Sequence, residues 1–500
     1  MGDSGQPQTR MPGLTSHRDS SASVSATPSS VQRVGSDAQL QSTTKGVIER
    51  EIKDATFYVD LNTQDGILYA DPQTVNTVCN DLRDTFRALT SGGDSSASHP
   101  WFPTTEDPPE STSYEPLVHL LNQIIDTASP HIPPSQLSGL RFHCFSGKMK
   151  DIYGSHKGLK PDIVGIIGEP PIGMKNSAEK SSAKKAELCW ERVEVTVESK
   201  ATVRDMVRQS GTYARCCLLS DPRRFFSLGI GFQYKNLEAY FFVYHRSGLS
   251  SSLALDLKTA EGFRGLVGHI VGILSIKGEA DYGLDITRTQ TTFCINNRYY
   301  VVGRVIFVRG SLRGRCTTVY NLRGTYTLSI RNAGRHSFVA YPAVLATEDA
   351  YCVLKSRMLT LSAGVDHLPD SFTYKLTYQV KEHSQEGPLF SKFNGQFGIA
   401  DVIGYYNCGP EDPHGSTLRL SNGAKFWKLF NPKGVHREPE LPEERGLQCI
   451  ALSGEGVALV DLHIKEGGTP SPGELLESIL HAIIGKWFPL RLTFCSHNPV

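Results

Sequence analysis

The sequence has no apolar run near the roughly 18 residues that a membrane-spanning helix requires. Its start, Met1 to Gln6, lacks the apolar stretch of a secretory signal, and position 6 is not the Ser or Thr of a myristoylation pattern. We therefore expect a soluble intracellular protein, in the cytoplasm or the nucleus, that does not attach to a membrane.

Two further absences concern metal and charge. The 11 cysteines include no Cys-x-x-Cys pair, so a structural zinc site is not expected, and their scatter predicts reduced thiols rather than a disulfide framework. The 52 Lys and Arg residues are balanced by 51 Asp and Glu residues. This balance gives no overall basic field for nucleic acid, although it leaves a local basic patch open.

Composition divides the chain into four parts. Residues 1–45 are rich in Ser, Gln, Thr and Pro and poor in large apolar residues, which predicts a disordered arm. Residues 46–112 show no clear pattern and end in a polar, proline-containing stretch that is typical of a linker. Folded structure is expected in residues 113–290 as one domain and in residues 291–500 as a second.

The first folded region predicts an α/β domain with a mixed sheet. Apolar residues from Leu117 to Ile125 recur at helical spacing behind Ser113, a plausible cap. Strand-like and helical patterns then alternate, and this order suits helices packed on a sheet. The predicted strands are 140–145, 162–167, 191–198, 225–232 and 239–245, and the predicted helices are 203–219 and 263–276.

A pattern of charged residues in this region carries a possible chemistry. Asp162 follows Lys-Pro, and Glu198 and Lys200 lie two apart on a predicted strand, so their side chains share one face. An Asp at the end of a neighbouring strand could share a Mg²⁺ ion with Glu198, while Lys200 orients the attacking water. Glu115 is a further candidate ligand, and Gln209 lies on the helix that follows.

This layout resembles the PD-(D/E)xK nuclease superfamily from about residue 113 to residue 274. The resemblance implies a Mg²⁺-dependent nuclease with nucleic acid as the ligand and Asp162 and Glu198 as metal ligands. Two alternatives stay open. The alternating Glu and Val residues also suit a solvated edge strand, and the domain could be a retained scaffold that binds a protein partner.

The second folded region reads as α+β, with several strands, one helix and more strands. Its notable segments are Gly314-Arg-Cys-Thr317, the strand-like Val353-Leu-Lys355 and a helix that opens at Glu386. Gly395 is among the glycines that end this helix. An amphipathic helix over residues 473–485 comes last.

These segments resemble the fungal-type protein kinase family: a small lobe followed by the start of a large lobe. The resemblance implies ATP-dependent phosphorylation of protein Ser or Thr, with ATP and Mg²⁺ as cofactors and an unknown protein as substrate or partner. In a kinase a strand Lys holds the nucleotide phosphates and pairs with a helix Glu. Lys355 and Glu386 take these roles, Glu382 is a rival for the second, and Gly314 belongs to the phosphate loop. Cys316 stands where relatives have Gly, which weakens ATP binding.

The catalytic part of that plan is absent from the sequence. His-Arg-Asp-x-x-x-x-Asn and Asp-Phe-Gly should follow the 473–485 helix, and neither does. The triplet His17-Arg18-Asp19 lies in the predicted disordered arm, and Val24 stands where the Asn belongs. We therefore expect a kinase-like domain that is incomplete at its C-terminal side, with no residues for kinase catalysis: a truncated pseudokinase.

Overall fold

A mixed sheet and an antiparallel sheet organise the molecule, which is a mixed α/β protein. The computed structural model describes residues 46–64, 66–90, 109–134, 137–145, 148–150, 159–168, 170, 187–220, 224–276, 292–295, 298–308, 311–324, 368–381, 383, 385–395, 400–407, 417, 420, 425–427, 429–430 and 443–453.

The helices are α1 over residues 46–52, α2 Pro72–Asp81, α3 Arg83–Thr90, α4 Tyr114–Ala128, α5 Val203–Ser220, α6 Ala260–Leu274 and α7 Glu386–Ser391. The strands are β1 Thr56–Tyr58, β2 Leu140–Cys144, β3 Lys148–Lys150, β4 Ile163–Ile167, β5 Glu187–Cys189, β6 Val193–Lys200, β7 Phe226–Gln233, β8 Glu238–His245, β9 Gly248–Ser251, β10 Leu255–Asp256, β11 Thr292–Ile295, β12 Arg298–Val308, β13 Thr318–Gly324, β14 Ser371–Val380, β15 Val402–Asn407, β16 Lys425–Phe426 and β17 Arg445–Leu452.

The mixed sheet runs β16-β1-β9-β8-β7-β6-β4-β2, and β10 pairs with β8 at its side. Strands β2, β4 and β6 are antiparallel neighbours. β6 and β7 are parallel, because α5 carries the chain back across one face between them. The short β3 and β5 form a separate parallel pair.

Helices cover both faces of this sheet, which explains why its central strands are apolar on both sides. On one face, Val195 and Phe241 are buried in a cluster with residues of α4 and α6. On the other face, Phe242 and Tyr244 pack against α1 and α5. The result is a sheet between two helical layers, with the middle of β6 almost fully enclosed.

The antiparallel sheet runs β11-β12-β13-β14-β17-β15. Phe372 and Tyr374 alternate along β14 at the strand period and fill its core together with Tyr300 of β12. The same buried cluster also includes residues of the mixed sheet, so hydrophobic packing is continuous between the two sheets.

Most secondary structure predicted for residues 113–290 is confirmed. The strand before Lys200, the helix at α5, the hairpin of β7 and β8 and the helix at α6 all appear within a few residues of the predicted bounds. Ser113 does precede α4, but its hydroxyl makes no cap bond to the helix; it contacts the carbonyl oxygen of Glu110 and the hydroxyl of Ser199 instead.

The structure adds elements where the sequence predicted none. Residues 46–112, expected to be poorly defined, carry α1, β1, α2 and α3 within the mixed-sheet core. Residues 361–385, for which no strand was predicted, contain the ten-residue strand β14. The predicted segments 1–45, 353–355 and 473–485 lie outside the described residues. Across the part of the chain that is described, no helix is both long and apolar enough to cross a membrane.

Candidate functional site

Lys200, at the end of β6, is surrounded by carboxylates from three parts of the chain. Its ammonium lies 3.2 Å from Glu198 and 3.9 Å from Asp162, and it also contacts Glu110 closely. Glu198 shares a face of β6 with Lys200, and Asp162 directly precedes the neighbouring strand β4. We call these four residues, Glu110, Asp162, Glu198 and Lys200, the Lys200 cluster.

Glu110 was not predicted as a site residue. It opens a 3₁₀ turn, Glu110–Ser113, in front of α4. The hydroxyl of Tyr114 lies 2.8 Å from carboxylate oxygens of both Glu110 and Asp162. The Ser113 hydroxyl is 2.7 Å from that of Ser199 on β6. These bonds attach the turn to β6 and to Asp162 of the Lys200 cluster.

The remaining residues of the nuclease-like prediction lie beside this cluster. Gln209 on α5 donates a hydrogen bond to the Tyr213 hydroxyl, and that hydroxyl donates to the carbonyl oxygen of Lys160. Tyr213 also interacts with Glu198. Glu115 interacts with the thiol of Cys144 on β2. Burial, followed by the negative charge of Glu115, raises the pKa of that thiol to about 12.

The electrostatics of the Lys200 cluster are dominated by burial and by an excess of carboxylates. Glu198 is completely buried, which raises its pKa to about 8 even though Lys200 opposes the shift. Burial acts to lower the pKa of Lys200, but the carboxylates of Glu198, Glu110 and Asp162 outweigh burial and raise it. The cluster therefore favours a positive charge at its centre and holds Glu198 largely protonated at neutral pH.

A metal ion does not fit this arrangement as it stands. Within the described ranges, no three His, Cys, Asp or Glu side chains are grouped so that they could hold a metal ion. The carboxylates of Asp162 and Glu198 both face the ammonium of Lys200, which supplies the neutralising charge. A divalent ion would have to displace that ammonium first.

A second cluster lies in the antiparallel sheet. Glu386, the first residue of α7, forms an ion pair with Lys375 of β14, at 2.5 Å, and a close contact with Arg315 from the loop before β13. Burial, followed by the charge of Arg315, lowers the pKa of Lys375 to about 8. We call Arg315, Lys375 and Glu386 the Lys375 cluster.

The position of α7 is fixed by tight packing. Gly387 lies so close to Tyr405 of β15 that an added side-chain carbon would stand 2.5 Å from it. The backbone N–H of Glu386 donates to the side-chain oxygen of Gln448 on β17, at 3.3 Å. Glu386 is thus held at one place on the sheet, next to Lys375.

The loop between β12 and β13, of which residues 311–317 are described, continues the Lys375 cluster. Gly314 has φ +111°, a region that favours glycine, and Cys316 has φ +43° although it carries a side chain. The Cys316 thiol is buried within the loop, 3.3 Å from the carbonyl oxygen of Ser311. Arg315 accepts a backbone hydrogen bond from Tyr378 of β14, at 2.7 Å, which ties the loop to that strand.

The structure therefore gathers only part of the predicted nucleotide site. Glu386 and Gly314 are both described; Glu386 contacts Arg315, and Gly314 precedes Arg315 in the loop. Lys355 and Glu382 lie outside the described residues. Lys375, which sequence reasoning missed, is the lysine that pairs with Glu386. The signal that could have found it is the strand-period alternation of Phe372, Tyr374, Leu376 and Tyr378 around it.

The family described as fungal protein kinase has a sequence model that matches residues 169–328, about a third of the chain. The matched range runs from the end of β4 to just beyond β13, so it includes Glu198, Lys200 and Gly314 and ends before Lys375. The order of the antiparallel strands is consistent with a kinase-like fold. No curated protein matches the chain, and no solved structure matches it.

Proposed function

We propose that this protein is a kinase-related nucleotide-binding protein, in which Lys375, held by Glu386, contacts the phosphates of ATP. The observation that carries the proposal is the ion pair between a lysine of β14 and the first residue of the next helix, beside the loop that contains Gly314. A strand lysine paired with a helix glutamate is the arrangement that positions nucleotide phosphates in protein kinases. The family match to residues 169–328 supports the same class.

The charge of the Lys375 cluster suits an anion. Two cations, Lys375 and Arg315, face the single carboxylate of Glu386. With a pKa lowered to about 8, Lys375 remains mostly protonated at neutral pH. These two neighbouring cations would attract a phosphate, and the guanidinium of Arg315 can hold two of its oxygens. Mg²⁺ stays a predicted companion of the nucleotide.

Substitution of Lys375 tests the proposal directly. We expect Lys375→Met to weaken ATP binding at least about tenfold in calorimetric titration, because a charge-assisted contact to phosphate is lost. Lys381→Met is the matched control: Lys381 follows the same strand but pairs with Glu444 at the surface, so ATP affinity should not change. Unchanged binding by Lys375→Met would overturn the assignment.

The same experiment decides between the two lysines. Lys355→Met should leave ATP affinity within about twofold of the unmodified protein if Lys375 is the phosphate contact. If Lys355→Met abolishes binding and Lys375→Met does not, the prediction made from Val353-Leu-Lys355 is correct and the proposed pair is wrong.

We propose binding without phosphoryl transfer for residues 1–500. Transfer requires a carboxylate near the substrate hydroxyl and residues that hold Mg²⁺, and the sequence has neither Asp-Phe-Gly nor a His-Arg-Asp triplet beyond residue 19. Transfer of labelled phosphate from ATP to a protein substrate by the purified chain, lost in Lys375→Met or Lys355→Ala, would contradict this.

Two alternatives remain predictions. For a Mg²⁺-dependent nuclease, Asp162, Glu198 and Lys200 do lie together, but the ion would have to displace the Lys200 ammonium. This alternative requires DNA cleavage that disappears in Asp162→Ala and Lys200→Ala. A non-catalytic scaffold predicts neither ATP binding nor cleavage, but stable association with a protein partner. ATP binding that depends on Lys375 separates the proposal from both.

A further inference from the structure

Glu51, on the first described helix, lies against the loop that continues the Lys375 cluster. One of its carboxylate oxygens accepts the backbone N–H of Leu312 at 2.7 Å and that of Arg313 at 3.4 Å. These two amides lie 261 and 262 residues away in sequence. The carboxylate of Glu51 thus accepts hydrogen bonds from two adjacent backbone N–H groups of the loop between β12 and β13.

The contact is anchored by hydrophobic packing on both sides. Ile48 and Ile52 of α1 are fully buried, and they share a cluster with Leu312, which is also fully buried. The burial of Leu312 holds its own N–H group, and that of Arg313, in a fixed position. The two amides are therefore organised to receive an anion before any ligand arrives.

Positive charge surrounds the same point. Arg215 and Arg246 both act electrostatically on Glu51, although burial outweighs them and leaves its pKa raised. Arg246 is nearly fully buried and donates to the carbonyl oxygens of Leu218 and Ser311. The Nε atoms of Arg215, Arg246 and Arg313 are buried and have no hydrogen-bond partner among the residues that the structure describes.

Both amides bind the same oxygen of Glu51, and the charges of Arg215 and Arg246 act on that carboxylate as well. A carboxylate has two oxygens, whereas a terminal phosphate has three and more negative charge, so it can use more of these N–H groups. We propose that the amides of Leu312 and Arg313, with Arg215 and Arg246, form an anion site that Glu51 fills, and that a phosphate of the bound nucleotide competes with Glu51 for it.

This inference rests on the proposed nucleotide binding and adds its regulation. Occupation of the site by Glu51 holds the loop against α1 and the mixed sheet. Entry of a phosphate releases Glu51 and loosens the contact between α1 and the loop. Glu51 and the phosphate exclude each other from the site. A tighter contact between α1 and the loop therefore lowers the affinity for ATP, and bound ATP weakens that contact.

Removal of the internal carboxylate tests the competition. We expect Glu51→Ala to bind ATP about tenfold more tightly than the unmodified protein, since one charge-assisted competitor is lost. Glu51→Gln keeps the shape and one acceptor oxygen but not the charge, so its affinity should lie between the two. Glu49→Ala is the matched control on the same helix, because Glu49 pairs with Arg204 and Arg208 instead.

A second readout uses inorganic phosphate as the probe. Millimolar phosphate should raise the melting temperature of Glu51→Ala and leave that of the unmodified protein and of Glu49→Ala unchanged.

Equal ATP affinity in Glu51→Ala, Glu51→Gln and the unmodified protein would overturn the competition while the nucleotide proposal stands. If no variant binds ATP, the nucleotide proposal fails, and the phosphate response alone decides whether the anion site exists. If Glu51→Ala does not fold, Glu51→Gln carries both measurements.

Discussion

The two lysine clusters are built from similar parts and have opposite charge balance. Lys200 faces three carboxylates, whereas Lys375 shares its one carboxylate with a second cation, Arg315. Their pKa values shift accordingly: that of Lys200 is raised by its carboxylates, and that of Lys375 is lowered by burial and by Arg315. The first cluster holds one cation among three carboxylates, and the second holds two cations at one carboxylate.

The comparison shows why a lysine near a carboxylate does not by itself identify a site. The Lys200 cluster holds its ammonium among its own carboxylates and fastens the turn at Glu110 to β6. The Lys375 cluster brings two cations, Lys375 and Arg315, to one carboxylate, an arrangement that suits an anionic ligand. Four measurements test this difference between the two clusters.

The largest effect is expected from Lys200→Met. Removing the ammonium leaves the carboxylates of Glu110 and Asp162 without their shared cation beside buried Glu198, which should lower the free energy of unfolding by about 2–3 kcal/mol. Urea unfolding measures it, and Lys258→Met is the control, since exposed Lys258 lies 4.0 Å from Asp256 and should change stability by less than about 0.5 kcal/mol. Equal effects in the two variants would show that the Lys200 cluster does not depend on its central cation.

The titration of Glu198 should be visible in the pH dependence of protein stability. Its pKa is about 8 in the folded protein and 4.5 as the ordinary value, so the native state binds more protons than the unfolded state between these limits. Stability should therefore fall as pH rises from about 5 to 8, by at most about 1.4 kcal/mol per pH unit. Glu198→Gln, which keeps the neutral form at every pH, should remove this slope; a slope that persists unchanged assigns it to another group.

ATP affinity should depend on pH in the same range, for a different reason. Lys375 loses its proton as pH rises through about 8, and the phosphate contact weakens with it, by about tenfold between pH 7 and 9.5. Lys375→Arg stays charged throughout and should bind ATP with little change over this interval. Titration calorimetry at several pH values measures both proteins. A parallel fall in Lys375→Arg would place the titrating group elsewhere.

The smallest effect is expected from Cys316→Gly. Glycine relieves the cost of φ +43°, roughly 1 kcal/mol, but removes a buried thiol that packs inside the loop. The two changes nearly cancel, so unfolding stability should shift by less than about 1 kcal/mol. ATP affinity should improve no more than about threefold if Cys316 obstructs the approach of phosphate only slightly. A loss of more than 2 kcal/mol would make the thiol a structural requirement of the loop.

Local patterns were sufficient for much of the mixed sheet. Alternation of Glu and Val before Lys200 and the helical spacing in α5 and α6 predicted these elements from short windows of sequence. Glu198 and Lys200 share a face simply because they lie two residues apart on a strand. The approach of Asp162 followed from its place before the neighbouring strand.

What sequence reasoning missed depends on distant contacts or on weak local signals. Glu110 lies in a proline-containing stretch and meets Lys200 across 90 residues, a contact that no periodicity encodes. Lys375 was missed because its strand, β14, contains many Thr and Tyr residues and was not recognised as a strand from the sequence. α2 did carry a readable signal, since Asp71 caps it and Pro72 takes its first position.

The pairing of β1 with β16 delays completion of the mixed sheet while the chain is being synthesised. β16 comes from a segment between β15 and β17 of the antiparallel sheet, yet Phe57 pairs with Phe426 at the edge of the mixed sheet. At ribosomal rates of 5–20 residues per second, roughly 20 to 70 seconds separate the synthesis of these two strands. Because β1 pairs with β9, this edge forms only after Ser251 has been made, and it then lacks β16 for roughly 10 to 35 seconds. An open edge of this kind is prone to pairing with other chains.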